Sequence, residues 1–382
     1  MATPSSQWTA APPVEKADLT GKTVVVVGAN TGIGYEAAKH FASMNPGRLI
    51  MACRSQERGT AAVTNLKKST GFDRAELWLV DLCSFASVQA FADKFEKEVE
   101  RIDILVANAA IIPRAYEVTK DGWETSLQVN YLAPALLIFL LLPLILKTAE
   151  ISTSIPRVVI VGSEVHQQGE IPQKIFEAPS AIEALSSREF CTPYSPSPKY
   201  YLSKLLNILF TQALSNHLPP THPTIIVNCI NPGFCHSELA RGVWNPVFLL
   251  FRFLLARPAE EGARQLIWGS VGVPDESQGG VESLKGAYVH FSKVTEPSDF
   301  VISEKGQEFK DILWSDIQLI ISYCIPSGDI LGQCIMRNMQ CEIVTLCDIR
   351  ADIICDSCYI RQNHVNYLCP TILVHRRVEE TR

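Results

Sequence analysis

A tyrosine and a lysine four residues apart can handle a proton. They occur here as Tyr200 and Lys204, in Tyr200-Tyr201-Leu202-Ser203-Lys204. At i and i+4 of a helix the two share one face. A phenol with a pKa of about 10 exchanges protons poorly at neutral pH. A neighbouring ammonium favours the phenolate and lowers that value. The tuned phenol then protonates a carbonyl oxygen as hydride arrives, or deprotonates an alcohol in reverse. Ser163 follows the apolar run Arg157–Val161 and can hydrogen-bond the same oxygen. Tyr201 is the rival for Tyr200, but it lies at i+3 from Lys204. Taken alone, a Tyr–Lys pair at this spacing is an ordinary surface pair, so the reading depends on what else the chain carries.

The rest of the chain carries a nucleotide signature. After the strand-like run Thr23–Val27 comes Gly28-Ala29-Asn30-Thr31-Gly32-Ile33-Gly34, and then a helical pattern. Glycines at this spacing let backbone N–H groups approach a pyrophosphate, and the helix N-terminus adds partial positive charge. A glycine-rich turn with no ligand is the plainer alternative. The second strand ends in Met51-Ala52-Cys53-Arg54-Ser55. An acid there would hold a ribose 2′-hydroxyl, whereas Arg54 matches a 2′-phosphate. The expected cofactor is therefore NADP(H) rather than NAD(H), with Arg58 one helical turn on as an auxiliary. Asp81 follows the third strand and can either accept from an adenine amino group or cap the helix starting near Ser84. Asn108-Ala109-Ala110 follows the fourth strand. Its small residues admit the cofactor and Asn108 can brace the sheet.

The elements that must position these residues alternate in the sequence. Strands are predicted at Thr23–Val27, Arg48–Met51, Glu76–Val80, Ile102–Ala107, Arg157–Val161, Thr224–Cys229 and Gly286–Phe291. Helices are predicted at Gly34–Met44, Ser84–Glu100 and Tyr200–His217. Continuous apolar strands alternating with helices predict an α/β fold with a doubly wound parallel sheet, whose ligands lie at the carboxyl ends of the strands. The proline-rich stretch Glu164–Lys199 reads as a long functional loop with one short helix.

Composition agrees with a packed protein. The 382 residues are 47% hydrophobic and 19% charged, and the net charge is −6, which argues against nucleic-acid binding. Residues 1–17 read as a flexible arm without a secretory signal, which places the chain in the cytoplasm with free thiols. Tyr131–Leu146 reads as a core helix. It is too short and proline-interrupted for a membrane span. Val243–Leu255 reads as a greasy substrate lid in preference to a surface that touches a membrane. Residues 317–382 hold seven of the twelve cysteines and lose all periodicity, so they read as a cysteine-rich, poorly ordered tail. Cys355 and Cys358 have metal-ligand spacing with His364 nearby, but no second close pair exists, and no metal is expected.

Over residues 18–316 the sequence resembles the short-chain dehydrogenase/reductase family. The turn Gly28–Gly34, Asn108-Ala109-Ala110 and Tyr200 with Lys204 resemble its cofactor turn, its Asn-Ala-Gly element and its Tyr-x-x-x-Lys pair. The resemblance implies one Rossmann-type domain holding both cofactor and substrate. It also implies a catalytic tetrad of Asn130, Ser163, Tyr200 and Lys204, with Asn130 holding a water in a proton relay and Lys204 reaching the nicotinamide ribose. Asn231-Pro232-Gly233 is similar to the segment lining the nicotinamide, so Pro232 and Gly233 join the cofactor set. Ser237 stands in for the threonine that the family often places on the carboxamide. Ala-Cys-Arg at 52–54 and Arg257–Ala263 look most like retinol dehydrogenase-like and fungal metabolite-tailoring members. The expected reaction is interconversion of a ketone or aldehyde and an alcohol on a hydrophobic small molecule, in a terpenoid or polyketide tailoring step. The alternatives are a retinol, steroid or lipid-type dehydrogenase and a catalytically silent NADP-binding scaffold. Dimers or tetramers through residues 121–146 and 200–217 are implied by the resemblance.

Overall fold

The computed structural model describes residues 10–151, 155–218, 225–240, 253 and 255–324. Strands β1 (Thr23–Val27), β2 (Arg48–Cys53), β3 (Ala75–Leu79), β4 (Ile104–Ala107), β5 (Arg157–Val161), β6 (Ile226–Asn231), β7 (Tyr288–His290) and β8 (Lys293–Val294) form one eight-stranded sheet. The order is β3-β2-β1-β4-β5-β6-β7-β8. Every pairing is parallel except the last, β7 with β8. The chain runs outward from β1 to β3, then returns past β1 to β4. The reversal of direction lies between β1 and β4, where a doubly wound sheet opens its ligand crevice. Register places Val27 beside both Ala52 and Ala107, so the turns after these three strands emerge side by side.

Helices cover both faces because the central strands are buried on both. All five residues of β1 and of β5 are buried. On one face α1 (Gly32–Ser43) turns Ala37, Ala38 and Phe41 onto Val24 and Val26, beside Leu266 and Ile267 of α2 (Ala259–Val271). On the other, α3 (Phe85–Glu98) stacks Phe91 and Phe95 against Trp78. Each fully buried side chain of this kind contributes about 1.5–3 kcal/mol.

The greasy segment Tyr131–Leu146 lies in a π-helical turn, Gln128–Leu132, running into α4 (Ala133–Ile151). The stretch Thr125–Glu150 is apolar enough to cross a membrane by length and composition, but 67% of its most apolar window is buried within the domain. Phe139 of α4 packs on Phe210 of α5 (Pro196–Asn216) and on Trp314 of α6 (Glu304–Cys324).

Two expectations need correction, and one strand was not foreseen. Residues 164–199 hold a 3₁₀ turn at Glu164–Gln168 and helices at Gln173–Phe176, Ala181–Ser186 and Arg188–Cys191, so the stretch is largely helical rather than a loop with one helix. The prolines sit at or before helix starts, where a missing N–H costs nothing. Helix α6 continues past Asp316, burying Ile317 and Ile321, so the periodic pattern does not end there. Strand β8 is only two residues long, too short to leave an alternating signature. The cysteine-rich segment from 325 onward, with Cys355, Cys358 and His364, lies outside the described residues, as does most of Val243–Leu255.

Candidate active site

The nucleotide turn is built by close backbone approach. Gly28 has φ +83° and donates its N–H to the Ala52 carbonyl at 2.8 Å. A Cβ there would lie 2.9 Å from Ala109 Cα, and one on Gly34 would fall on the Gly28 carbonyl oxygen and 2.5 Å from Asn108 Nδ2. Only glycine fits at either position. Asn108 Nδ2 donates to the Gly28 carbonyl at 3.0 Å, so the asparagine does brace β4 against the turn. Thr31 is the N-cap of α1, makes no side-chain cap bond, and no acid occupies the first turn. The positive end of α1 therefore faces the turn Asn30–Ile33 without a competing carboxylate, which suits an anion.

Arg54 is exposed at the end of β2, and its charge acts on the Cys83 side chain. Asp81 Oδ1 accepts from the Cys83 N–H at 3.0 Å. Arg54 and Asp81, 27 residues apart in sequence, thus converge on one residue at the rim of β2 and β3. Asp81 does not cap α3. Ser84 does, accepting from the Ser87 N–H at 3.2 Å, because its Oγ stands at the N-cap position itself. Arg58 contributes its backbone N–H to the Ser55 cap of the next helix, at 3.3 Å, and its side chain is exposed.

At the chemical end, α5 starts with prolines in its first turn and carries Tyr200 and Lys204 toward the end of β5. The Ser163 side chain neighbours the Tyr200 phenol and favours its ionised form. Lys204 Nζ donates to the Val161 carbonyl at 2.7 Å and stands 5.5 Å from the Tyr200 ring centre. Burial lowers the Lys204 pKa to about 8, with the buried Cys229 opposing. Burial also raises the Tyr200 phenol above its ordinary value, against the opposing influence of the Ser163 side chain. The expected lowering of Tyr200 by Lys204 is therefore not found. Lys204 is engaged by a backbone carbonyl, and desolvation outweighs it at the phenol.

Asn130 lies in the π-helical turn and is almost fully buried. Its Oδ1 accepts from the Ile111 N–H at 2.8 Å, and its Nδ2 donates to the Ile111 carbonyl at 3.0 Å and to Ser203 Oγ at 3.1 Å. Ser203 Oγ donates in turn to the Tyr200 carbonyl at 2.8 Å. The amide thus ties the loop after β4 to the helix of Tyr200.

The segment after β6 folds back over the nucleotide turn. The Gly233 N–H donates to Asn231 Oδ1 at 3.0 Å, following Pro232. Ser237 Cβ would stand 3.8 Å from a Cβ built on Gly32. The structure therefore gathers residues from 28–34, 108, 163, 200–204 and 232–237 at the carboxyl end of the sheet. Arg54 and Asp81 lie further along the same edge, beyond β1.

Sequence reasoning passed over two groups. Cys235, buried under the turn, donates to the Pro232 carbonyl at 3.3 Å, and burial pushes its thiol up to about 12. His166 is fully buried beside Ser163. Neither sits in a periodic pattern, so burial alone reveals them. Among the described residues no group of three or more His, Cys, Asp or Glu side chains forms a metal-binding cluster.

The family model described as short chain dehydrogenase matches residues 22–179. A short chain dehydrogenase/reductase named dmxR8, from Cryptosporiopsis sp. (strain 8999), is 33% identical over 80% of this chain and 92% of its own. A solved structure from Mycobacterium paratuberculosis is 27% identical, with a TM-score of 0.58 over 81% of this chain and 98% of that one. A short chain dehydrogenase from Escherichia coli, solved in complex with NADPH, has 22% identity and a TM-score of 0.51, covering 72% of this chain and 99% of its own.

Proposed function

The chain belongs to the short-chain dehydrogenase/reductase family, and from that premise we propose that it is an NADP(H)-dependent reductase of ketones or aldehydes on hydrophobic small molecules, acting in a tailoring step of secondary metabolism. It is an oxidoreductase with a nicotinamide cofactor. The carrying observation is the convergence of Tyr200 and Ser163 at the end of β5, with Lys204 held on the Val161 carbonyl of the same strand.

The residues present fit the cofactor. Gly28 and Gly34 let the turn close tightly on Ala109 and Asn108, Gly32 has nothing nearer than Ser237, and the first turn of α1 is free of acids. Asn30, Thr31, Gly32 and Ile33 would supply the rest of the phosphate turn. Arg54 would hold the 2′-phosphate, and Asp81 the adenine side. Asn108, Pro232, Gly233 and Ser237 would flank the nicotinamide, with Tyr200 and Lys204 facing the same side. When bound, the nicotinamide supplies or accepts hydride.

The side chains then handle the proton. Tyr200 gives its hydroxyl proton to the substrate oxygen, and Ser163 fixes that oxygen by a second hydrogen bond. Lys204, charged below about pH 8, would hold the nicotinamide ribose. Asn130 holds the Tyr200 helix in place through Ser203 and would carry the water of the proton relay. The hydrophobic substrate class is supported by the apolar composition of Val243–Leu255.

The test is an NADPH fluorescence titration of the full chain, followed by turnover of a panel of hydrophobic ketones by the parent and Tyr200→Phe. Micromolar or tighter binding with turnover abolished in Tyr200→Phe is the expected result. Absence of NADPH binding by folded protein overturns the proposal, and turnover surviving in Tyr200→Phe overturns the assigned proton donor.

A further inference from the structure

We propose that His166 is a positioning residue for Ser163, acting as a neutral imidazole that carries its proton on Nδ1 and clamps the Ser163 carbonyl. The proposal rests on the reading of Ser163 given above.

The geometry dictates the tautomer. The backbone N–H of Ser298 donates to His166 Nε2 at 3.0 Å. A backbone amide can only donate, so Nε2 must accept and carries no proton. The proton of the neutral ring is then on Nδ1, which lies 2.8 Å from the Ser163 carbonyl oxygen and donates to it. The same carbonyl also accepts the His166 backbone N–H at 3.2 Å. Two donors on one oxygen fix the peptide plane that follows Ser163, and with it the direction in which the serine side chain leaves the backbone.

The ring has little freedom to do anything else. It is fully buried and packs in a T-shaped contact with Tyr288 on β7, 4.7 Å between ring centres. Both nitrogens are occupied by backbone groups, one three residues before the histidine and the other 132 residues after it. His166 therefore ties the turn after β5 to the segment that precedes α6. It touches no reacting atom. It acts through Ser163.

Two substitutions separate positioning from mere packing. His166→Asn places an amide N–H where Nδ1 stands and omits the Ser298 acceptor. His166→Gln reaches the Nε2 position and omits the Ser163 donor. Both lose ring contact with Tyr288. The probe for turnover is 9,10-phenanthrenequinone with NADPH, measured beside NADPH affinity and melting temperature. For positioning, His166→Gln lowers kcat at least tenfold with NADPH affinity unchanged, and His166→Asn stays within about threefold of the parent. Equal loss in both variants, tracking melting temperature, overturns the proposal, as does a His166→Gln enzyme more active than His166→Asn. Ser163→Ala serves as the control: if it turns over like the parent, the reading of the site has failed and not this one.

A second measurement needs no substrate. Long-range ¹H–¹⁵N spectra of ¹⁵N-histidine-labelled full chain are recorded from pH 8 to 6, with His166→Asn as the assignment. His166 is expected to remain an Nδ1–H neutral tautomer throughout. An Nε2–H tautomer, or ordinary titration in that range, overturns the clamp.

Discussion

Lys204 Nζ donates to the Val161 carbonyl at 2.7 Å from a side chain only 2% exposed, so a cation is held on the last residue of a buried strand. This arrangement makes stability depend on pH. Burial lowers the folded pKa to about 8, against about 10.4 for an unfolded lysine. Between those values the unfolded chain binds more protons than the folded one, so stability rises with pH there. The penalty is fully present below about pH 8 and has gone by about pH 10.4. Lys204→Met removes the titration and leaves the Val161 carbonyl short of a donor by a pH-independent amount. The variant's melting temperature relative to the parent is thus expected to be most favourable at pH 7 and to decline steadily toward pH 10.5. A difference that stays constant over that range contradicts the lowered pKa.

Gly34→Ala tests the close approach in the nucleotide turn. Its methyl would meet the Gly28 carbonyl and Asn108 Nδ2, neither of which can move without disturbing β1 or β4. Overpacking of this kind costs about 1–3 kcal/mol. NADPH affinity should fall more than tenfold, with a lower melting temperature. Affinity within threefold of the parent contradicts the close packing.

Arg54→Glu tests cofactor choice. Arg54 is exposed, so the fold should be indifferent to the change. A charge-assisted hydrogen bond contributes about 1.5–3 kcal/mol, so NADPH affinity should drop roughly 10- to 100-fold. NADH affinity should stay level or rise. Equal weakening of both cofactors would place Arg54 outside the 2′-phosphate contact.

Tyr131→Phe tests a hydroxyl that the fold leaves unpaired. Tyr131 Oη is buried without a hydrogen-bond partner, and the ring packs edge-on against Phe210. Removing an unsatisfied buried hydroxyl relieves about 1–3 kcal/mol of desolvation. The variant should melt no lower than the parent, and up to a few degrees higher. A clear loss of stability would show that the hydroxyl has a partner, such as a buried water.

The candidate site was legible wherever chemistry imposes local spacing. Tyr200 and Lys204, the glycines of 28–34 and the strand-end Ser163 all announce themselves within a few residues of chain. Strands β1 and β5 were legible to the residue, because runs such as Thr23–Val27 admit no other buried element. Strand β6 was placed two residues early, since Thr224 and Ile225 are as β-prone as the residues that pair. The domain runs past its expected end at Asp316 because α6 carries a buried i, i+4 stripe of Phe309, Leu313, Ile317 and Ile321 across that point. The role of His166 was invisible because one of its two partners is remote in sequence and is a backbone group, which no residue type encodes.

The strand order also has a consequence in time. A ribosome delivers this chain from the amino end, so Gly28, Arg54 and Asn108 are all made before α2, the helix that covers β1 beside α1. Ser163 comes later, and the backbone that anchors its histidine neighbour, at Ser298, comes later still. A nascent chain halted between α2 and Ser298 would have its nucleotide turn covered and its proton-handling corner unbraced. Capacity to bind cofactor would precede capacity to reduce, and the last strands and helices of the domain would act as the step that commissions the enzyme.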